Sequence, residues 1–308
     1  MGWAKPGRKL LITQMPVDMI DQINPSTPEK QRTNYIDAHQ HFWKFDAVRD
    51  SWIDDRMKII QRDFLPKDLA ALLRENGFDG SMVVQSDQSE AETNFQLANA
   101  AQNNFIKGVI GWVDLQSENL EKRLEHYSQF PLLKGFRHVL QGEPQRDLML
   151  QPAFKKGISQ LAKYEFTYDL LIFPDQIQYA TELINLFPLQ PFVLDHIAKP
   201  YIKSGDIKDW EQDIRNMASA PNVYCKISGM VTEANWQHWK QDDFTPYLDV
   251  VVNAFGIDRI MFGSDWPVCL VAGGYAETIN IVKAYFSTFT QSEQDKFFGG
   301  NAIQFYNL

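Results

Sequence analysis

From residue 35 onward, short apolar segments alternate with longer amphipathic ones. The short segments predict eight β-strands, at residues 35–39, 80–85, 106–112, 132–137, 166–172, 191–196, 222–227 and 259–264. The longer segments repeat apolar residues every three to four positions, which predicts helices at 67–76, 92–103, 118–129, 152–163, 175–186, 207–219, 244–254, 275–288 and near 292–305. Turn formers such as Asn76-Gly77 and Phe187-Pro188 fall where these helices end.

Eight strand–helix alternations predict an α/β protein with a parallel sheet. Their number favours a closed (β/α)8 TIM barrel over an open doubly wound sheet, and no glycine-rich phosphate motif follows the first strand. We therefore predict a single barrel domain at residues 34–308. Residues 1–33 show weak periodicity and several prolines, so we predict an N-terminal extension outside the barrel.

Alternation along the strands predicts which side chains face the barrel mouth. If His39, His41, Lys226 and Asp265 face inward, their neighbours in each strand face the surrounding helices. The residues predicted to face the helices are Ile36, Ala38, Val223, Cys225, Ile227, Ile260 and Phe262.

Composition narrows the class of protein. The 308 residues suit one barrel, and 44% hydrophobic with 22% charged residues is ordinary for a globular protein. A net charge of −9 argues against a nucleic-acid partner or an acidic membrane surface. Leu10–Ile12 is too short for a signal-peptide core, and two cysteines predict free thiols in a reducing cytoplasm. The oligomeric state is left open.

Histidines and an aspartate fall at the C-terminal ends of predicted strands. His39 and His41 end the first strand, on one face and about 7 Å apart at a rise of ~3.3 Å per residue. Asp265 follows the eighth strand, which neighbours the first in a closed barrel, and His196 ends the sixth. Three of six histidines therefore lie at strand ends, which favours a site over core or surface roles.

Imidazole nitrogens and a carboxylate oxygen form a typical set of zinc ligands. The predicted metal ligands are His39, His41, His196 and Asp265. Asp265 is also the predicted general base, either because a metal lowers the pKa of water or because burial raises its own pKa. The alternative is a turn or helix-capping aspartate.

Arg137 ends the fourth strand and is predicted to bind a carboxylate or an oxyanion, unless it forms a structural ion pair. We expect Arg137→Met to weaken activity at little cost in stability. An aromatic wall for a sugar-like ring is predicted near the strand ends, with packing as the alternative. The predicted substrate contacts are Trp43, Trp112, Trp266, His138, Lys226 and Ser228.

These residues lie in runs that resemble the amidohydrolase superfamily, in the branch called amidohydrolase 2. His39-x-His41 matches the strand-one motif of that family and Asp265 its strand-eight aspartate. Five further runs are most similar to sugar lactonases of the L-fucono-1,5-lactonase and L-rhamnonolactonase type. They are Gly-Trp-Val-Asp-Leu at 111–115, Gly-Phe-Arg-His at 135–138, Asp-His-Ile-Ala-Lys-Pro at 195–200, Lys-Ile-Ser-Gly at 226–229 and Gly-Ser-Asp-Trp-Pro-Val-Cys-Leu at 263–270.

The resemblance implies hydrolysis of a sugar 1,5- or 1,4-lactone to its aldonic acid, with Asp265, His196 and Arg137 as catalytic residues. A metal-dependent, non-oxidative decarboxylase of an aromatic or unsaturated acid is the alternative. An inactive barrel serving as a binding module is the third hypothesis. Metal analysis beside a lactone assay separates the three.

The chain also departs from the family's dinuclear members. They carry a bridging Lys or Glu at strand four and a histidine at strand five, whereas this chain has Arg137 and a histidine-free run at 168–173. A permanent cation repels a second metal. We therefore predict at most one divalent metal, zinc. The resemblance implies that the metal is not required, because lactonases similar to this chain can work without one.

Overall fold

The structure, a computed structural model, describes residues 33–308, and these form a barrel of eight parallel strands. The predicted extension lies outside the described residues apart from Thr33. The strands are β1 (Ile36–Gln40), β2 (Gly80–Val84), β3 (Ile106–Gly111), β4 (Leu133–His138), β5 (Thr167–Leu170), β6 (Phe192–Leu194), β7 (Val223–Ile227) and β8 (Ile260–Phe262). Each strand pairs with the next in parallel, as the sequence predicts.

The barrel closes at the C-terminal ends of β1 and β8. Gln40 and Trp266 form a parallel bridge, and the His41 N–H donates to the Trp266 carbonyl at 2.7 Å. The Asp265 N–H donates to the His39 carbonyl at 2.8 Å. Closure therefore brings His39 and His41 next to Asp265, and it confirms the predicted TIM barrel.

Helices surround the barrel and lie close to the predicted bounds. They are α1 (Pro66–Asn76), α2 (Glu90–Gln102), α3 (Leu120–Tyr127), α4 (Pro152–Leu161), α5 (Ile177–Leu186), α6 (Lys208–Ala218), α7 (Met230–Glu233), α8 (Gln241–Phe255), α9 (Tyr275–Phe286), α10 (Gln291–Asp295) and α11 (Asn301–Tyr306). The short α7 was not predicted. At α1, Pro66 occupies the first turn and Gly77 ends the helix with φ of 83°, a left-handed conformation that glycine adopts without strain.

Apolar side chains pack in two layers. The larger layer lies between the strands and the helices and includes the five residues of β7 and β8 predicted to face outward, Val223, Cys225, Ile227, Ile260 and Phe262. A smaller cluster fills the barrel interior with side chains from opposite strands, among them Met82, Ile110, Val193 and Met261. Tyr306 and Ala302 of α11 join that cluster, so α11 covers the N-terminal end of the barrel.

Ile36 and Ala38 belong to the interior cluster, so the prediction that they face the helices is wrong. The pairing register of β1 with β2 shifts between Asp37 and Gln40. An irregular register of this kind breaks the strict alternation of a strand. As a result, Ala38 and the next residue, His39, both face inward.

Both cysteines are buried free thiols, Cys225 in β7 and Cys269 in the segment after β8. Among residues 33–308, no helix is both long and apolar enough to cross a bilayer.

Candidate active site

Three histidines surround one carboxylate oxygen at the C-terminal mouth of the barrel. Asp265 Oδ1 lies 3.2 Å from His41 Nε2, 4.0 Å from His39 Nε2 and 3.9 Å from His196 Nε2. All four side chains are buried. The structure thus brings together residues that are up to 226 positions apart in the chain (265 − 39).

Unusual backbone conformations aim two of these side chains. Asp265 has φ of 57°, and His196 through Lys199 all have φ between 48° and 58°. Each left-handed residue with a side chain costs roughly 1–2 kcal/mol. The turn is supported because the Trp210 indole donates to the Ile197 carbonyl at 2.8 Å. Strain of this kind persists where surrounding contacts over-determine it and is concentrated at functional sites.

Gly229 makes room for His196. It adopts φ of +60°, and a Cβ at this position would lie 2.6 Å from His196 Nδ1. The Ser228 hydroxyl lies 2.9 Å from the same nitrogen and fixes the ring. The Lys-Ile-Ser-Gly run at the end of β7 therefore shapes the pocket for the His196 imidazole.

Hydrogen bonding shows which nitrogen of His41 carries a hydrogen in the neutral ring. Its Nδ1–H donates to the Val84 carbonyl at 2.8 Å, so Nε2 of the neutral ring carries a lone pair. That lone pair faces Asp265 Oδ1 at 3.2 Å. Two such atoms repel each other unless a proton or a cation lies beside them. The pair is therefore arranged to share a proton or to hold a cation.

His39 lies deeper, between ion-paired residues. Its Nδ1 is 3.2 Å from Asp195 Oδ1, and its Nε2 is 3.3 Å from Arg137 Nη1. A guanidinium only donates and a carboxylate only accepts, so these two contacts favour the lone pair on Nε2 and the hydrogen on Nδ1. Lys226 Nζ, which also only donates, lies 3.3 Å from Nδ1. Burial lowers the pKa of His39 well below its usual range, an effect that the Asp195 carboxylate opposes. His39 is therefore neutral.

The electrostatic surroundings of Asp265 keep its carboxylate able to accept a proton. Burial acts to raise the pKa of Asp265, but the interactions of its carboxylate with the His196 and His41 imidazoles outweigh burial and hold the pKa below its usual value. Burial lowers the pKa of His196 well below 6.5. At neutral pH the site thus holds an ionised aspartate next to a neutral His196.

The donor set fits one divalent metal. Ligand atoms of His39, His41 and Asp265 all lie within 4.8 Å of one another, as do those of a second group, His39, Asp195 and His196. Metal ligation requires a lone pair on the ligating nitrogen. The bond from Nδ1–H of His41 to the Val84 carbonyl leaves such a lone pair on Nε2, beside the Asp265 carboxylate. The Arg137 guanidinium, 3.3 Å from His39 Nε2, places a fixed positive charge at one of these nitrogens.

A cavity of about 360 Å³ opens above these residues. The predicted catalytic residues Asp265, His196 and Arg137 line it, together with His41. The rest of the lining is Arg49, Trp52, Ser86, Asp87, Gln88, Val139, Gln141, Gly142, Leu171, Lys199 and Val268. Two buried polar atoms of lining residues, Arg137 Nε and Gln141 Oε1, have no hydrogen-bond partner.

The sequence model of the amidohydrolase family matches residues 36–308, nearly the whole described chain. The chain belongs to the amidohydrolase family. An L-fucono-1,5-lactonase of Burkholderia multivorans is 35% identical over 284 residues, which cover 89% of this chain and 96% of the relative. An L-fucono-1,5-lactonase of Burkholderia ambifaria is 33% identical, covering 89% and 95%.

A crystal structure supports the same relationship. An amidohydrolase of Burkholderia multivorans with bound zinc superposes with a TM-score of 0.87 at 34% identity, over 89% of this chain and 99% of that one. The identity is high enough for the likeness to extend beyond the fold.

The predicted aromatic wall is placed differently by the structure. Trp43 and Trp266 are buried and pack on Phe64, with ring centroids 5.5 and 5.2 Å away. Neither lines the cavity, and the partly buried Trp112 does not either. Trp52, which stacks edge-on against Trp43 at 5.9 Å, lines it instead. Substrate contact by the three predicted tryptophans stays a prediction.

The other predicted substrate contacts also lie outside the cavity lining. His138 Nε2 is 2.8 Å from Glu143 Oε1, and Ser228 contacts His196. Lys226 is fully buried, with Nζ 2.5 Å from Asp169 Oδ2. Their direct contact with substrate stays a prediction.

Sequence reasoning missed several residues of the site. Asp195 directly precedes His196, and the strand-end rule that selected the histidine would also have selected the aspartate. Asp169 is an inward residue of β5, a strand that the sequence analysis considered only for its lack of a histidine. Trp52 lies in a loop, where no periodicity indicates which side chains face the cavity.

Proposed function

We propose that this amidohydrolase opens a sugar 1,5- or 1,4-lactone, similar to L-fuconolactone, to the aldonic acid. Curated relatives at 33% and 35% identity are L-fucono-1,5-lactonases. The observation that carries the proposal is the Asp265 carboxylate, which lines a ligand-sized cavity with the His41 and His196 imidazoles beside its Oδ1. A lactone is an activated ester, so one base and a few hydrogen-bond donors to its carbonyl are sufficient.

Asp265 is the proposed general base. Its carboxylate accepts a proton from the attacking water as the new C–O bond forms. It then returns that proton to the ring oxygen as the lactone C–O bond breaks, so one residue completes the proton cycle. His41 and His196, on either side of Oδ1, keep the carboxylate turned toward the cavity.

Arg137 is proposed to stabilise the carbonyl oxygen. Its Nη1 donates to Asp195 Oδ2 at 3.0 Å and its Nη2 to the Gln85 carbonyl at 2.5 Å, whereas Nε–H has no partner. A charged N–H at the edge of a cavity is a strong donor to the oxyanion of a tetrahedral intermediate. His196 is the second proposed catalytic donor.

The cavity suits a monosaccharide. Its volume is at the small end of ligand pockets. Trp52, Leu171 and Val268 offer apolar contact to the ring, and Gln141 Oε1 is a buried acceptor without a donor. We propose that a sugar hydroxyl supplies that donor.

Zinc is the proposed divalent ion, held by His39, His41 and Asp265, with His196 as the fourth predicted ligand. When bound, zinc lowers the pKa of a water molecule to ~7 and polarises a carbonyl. The guanidinium of Arg137 competes for the lone pair of His39 Nε2. We therefore propose weak binding and a reaction that does not require the metal.

The cell compartment is proposed from the thiols. Cys225 and Cys269 are both free and buried, which is typical of proteins in a reducing compartment. We propose a cytoplasmic enzyme acting on a small molecule.

The test is hydrolysis of a panel of aldono-1,5- and 1,4-lactones, measured by proton release and confirmed by NMR of the acid. Zinc-loaded and chelated samples are assayed side by side. Turnover above the spontaneous rate for at least one sugar lactone is expected in both. No hydrolysis of any lactone, or carbon dioxide release from an aromatic acid with bound metal, would refute the proposal.

A further inference from the structure

Lys226 lies fully buried beneath the active site. Its Nζ is 2.5 Å from Asp169 Oδ2 in β5, 3.1 Å from Asp195 Oδ1 after β6 and 3.3 Å from His39 Nδ1. The side chain does not line the cavity. Buried ion pairs are often no more stabilising than apolar residues of the same volume, so stability alone is a weak reason for this lysine.

Lys226, Asp169, Asp195 and Arg137 form a buried charged cluster. The C-terminal helix α11 contacts this cluster at the N-terminal end of the barrel. Tyr306 in α11 donates its hydroxyl to Asp169, at 3.2 and 3.1 Å from the two carboxylate oxygens. Its ring centroid lies 5.5 Å from Lys226 Nζ. A residue at the closed end of the barrel thus contacts the carboxylate that holds the lysine.

At the C-terminal mouth of the barrel, the charged cluster contacts the residues of the proposed active site. Asp195 bridges Lys226 and Arg137, and its Oδ1 lies 3.2 Å from His39 Nδ1. Two buried carboxylates and two buried cations, Asp169 with Lys226 and Asp195 with Arg137, balance one another. Removing the lysine leaves two carboxylates for one remaining cation, at a high cost in a buried site.

We propose that Lys226 is a positioning residue for the lactone hydrolysis inferred above. Anchored by Asp169 and Tyr306, it holds Asp195 against His39. That contact keeps the hydrogen of His39 on Nδ1 and its Nε2 lone pair toward Arg137 and Asp265. The proposal rests on the proposed function but makes its own prediction: Lys226 affects kcat and not substrate binding.

The first test compares Lys226→Met with the charge-balanced double variant Lys226→Met/Asp169→Asn. The double variant removes one charge of each sign and retains the pair of Asp195 and Arg137, so we expect it to fold even if the single variant does not. We expect its kcat to fall at least tenfold with KM within twofold of wild type. Wild-type kcat in the folded double variant, or a raised KM with unchanged kcat, would refute the positioning role. Failure of the proposed function is distinct, because the wild-type protein would then hydrolyse no lactone.

A second readout is independent of turnover. Nitrogen-15 NMR of labelled histidine reports which ring nitrogen carries the hydrogen, and the His39 signals are assigned by their loss in His39→Asn. We expect the Nδ1–H form in wild type and a mixture of both forms in the double variant. An unchanged Nδ1–H form in the double variant would refute the proposal.

The tyrosine is tested with a matched control. Tyr306→Phe removes a hydroxyl bound to Asp169, and Tyr127→Phe removes a hydroxyl that donates to Glu90 at 3.1 Å outside the barrel. We expect similar losses in Tm from both variants. Only Tyr306→Phe should lower kcat, by about threefold, with KM unchanged. Equal kcat in the two variants would remove Tyr306 from the proposal.

Discussion

Replacing Arg137 separates its stabilising contacts from its catalytic one. In Arg137→Met, Asp195 keeps the Lys226 partner at 3.1 Å but loses the Nη1 donor at 3.0 Å, and the Gln85 carbonyl loses its donor. Breaking a buried ion pair costs about 3–5 kcal/mol. For a chain of this size that corresponds to a fall in Tm on the order of 10 °C.

The catalytic loss is expected to exceed what misfolding explains. Loss of one donor to an oxyanion lowers kcat by about 10²–10³-fold. Arg137→Lys is the matched control, since it keeps a positive charge near Asp195 but removes the unpartnered Nε–H. We expect Arg137→Lys to recover most of the Tm, measured by calorimetry, and little of the kcat. Recovery of both in Arg137→Lys would show that Arg137 acts only through its ion pair, and the reasoning would be refuted.

Three further predictions follow from single contacts. Gln141→Met should lower kcat/KM about fivefold for a hydroxylated lactone and leave unsubstituted δ-valerolactone unaffected, because only a hydroxyl can donate to the lost acceptor; equal losses would count against the hydroxyl contact. Gly229→Ala should lower kcat by displacing His196, whereas Gly205→Ala, with similar φ of +71° and no atom within 4 Å of the new Cβ, should affect only Tm. Purified protein should contain substoichiometric zinc by elemental analysis and stay active after prolonged chelation, because Arg137 competes for a ligand nitrogen; tight metal with activity that zinc restores would contradict this.

The barrel could be predicted because the spacing of apolar residues within each segment indicates whether that segment is a strand or a helix. The inward orientation of the Ile36 and Ala38 side chains could not be predicted, because the irregular register of β1 depends on its pairing with β2. Strand pairing is a property of two segments, and the sequence of one strand does not define it.

The position of the histidines and Asp265 followed from strand order and closure alone. Strand order does not indicate how deep a side chain lies along the barrel axis. The sequence therefore did not reveal that Lys226 is buried beneath the cavity lining. The expectation that Arg137→Met costs little stability also needs revision. Arg137 is only 4% exposed and pairs with Asp195, a contact that strand-end position does not reveal.

The most direct test of the central claim is the kcat of Asp265→Asn on a sugar lactone at controlled pH. The amide is nearly isosteric with the carboxylate but cannot accept the proton of water, so we expect a folded protein whose kcat falls about a hundredfold or more. Asp249→Asn, in α8 outside the barrel, is the control and should retain wild-type kcat. A kcat near wild type in Asp265→Asn would contradict the proposed role of Asp265 as the base.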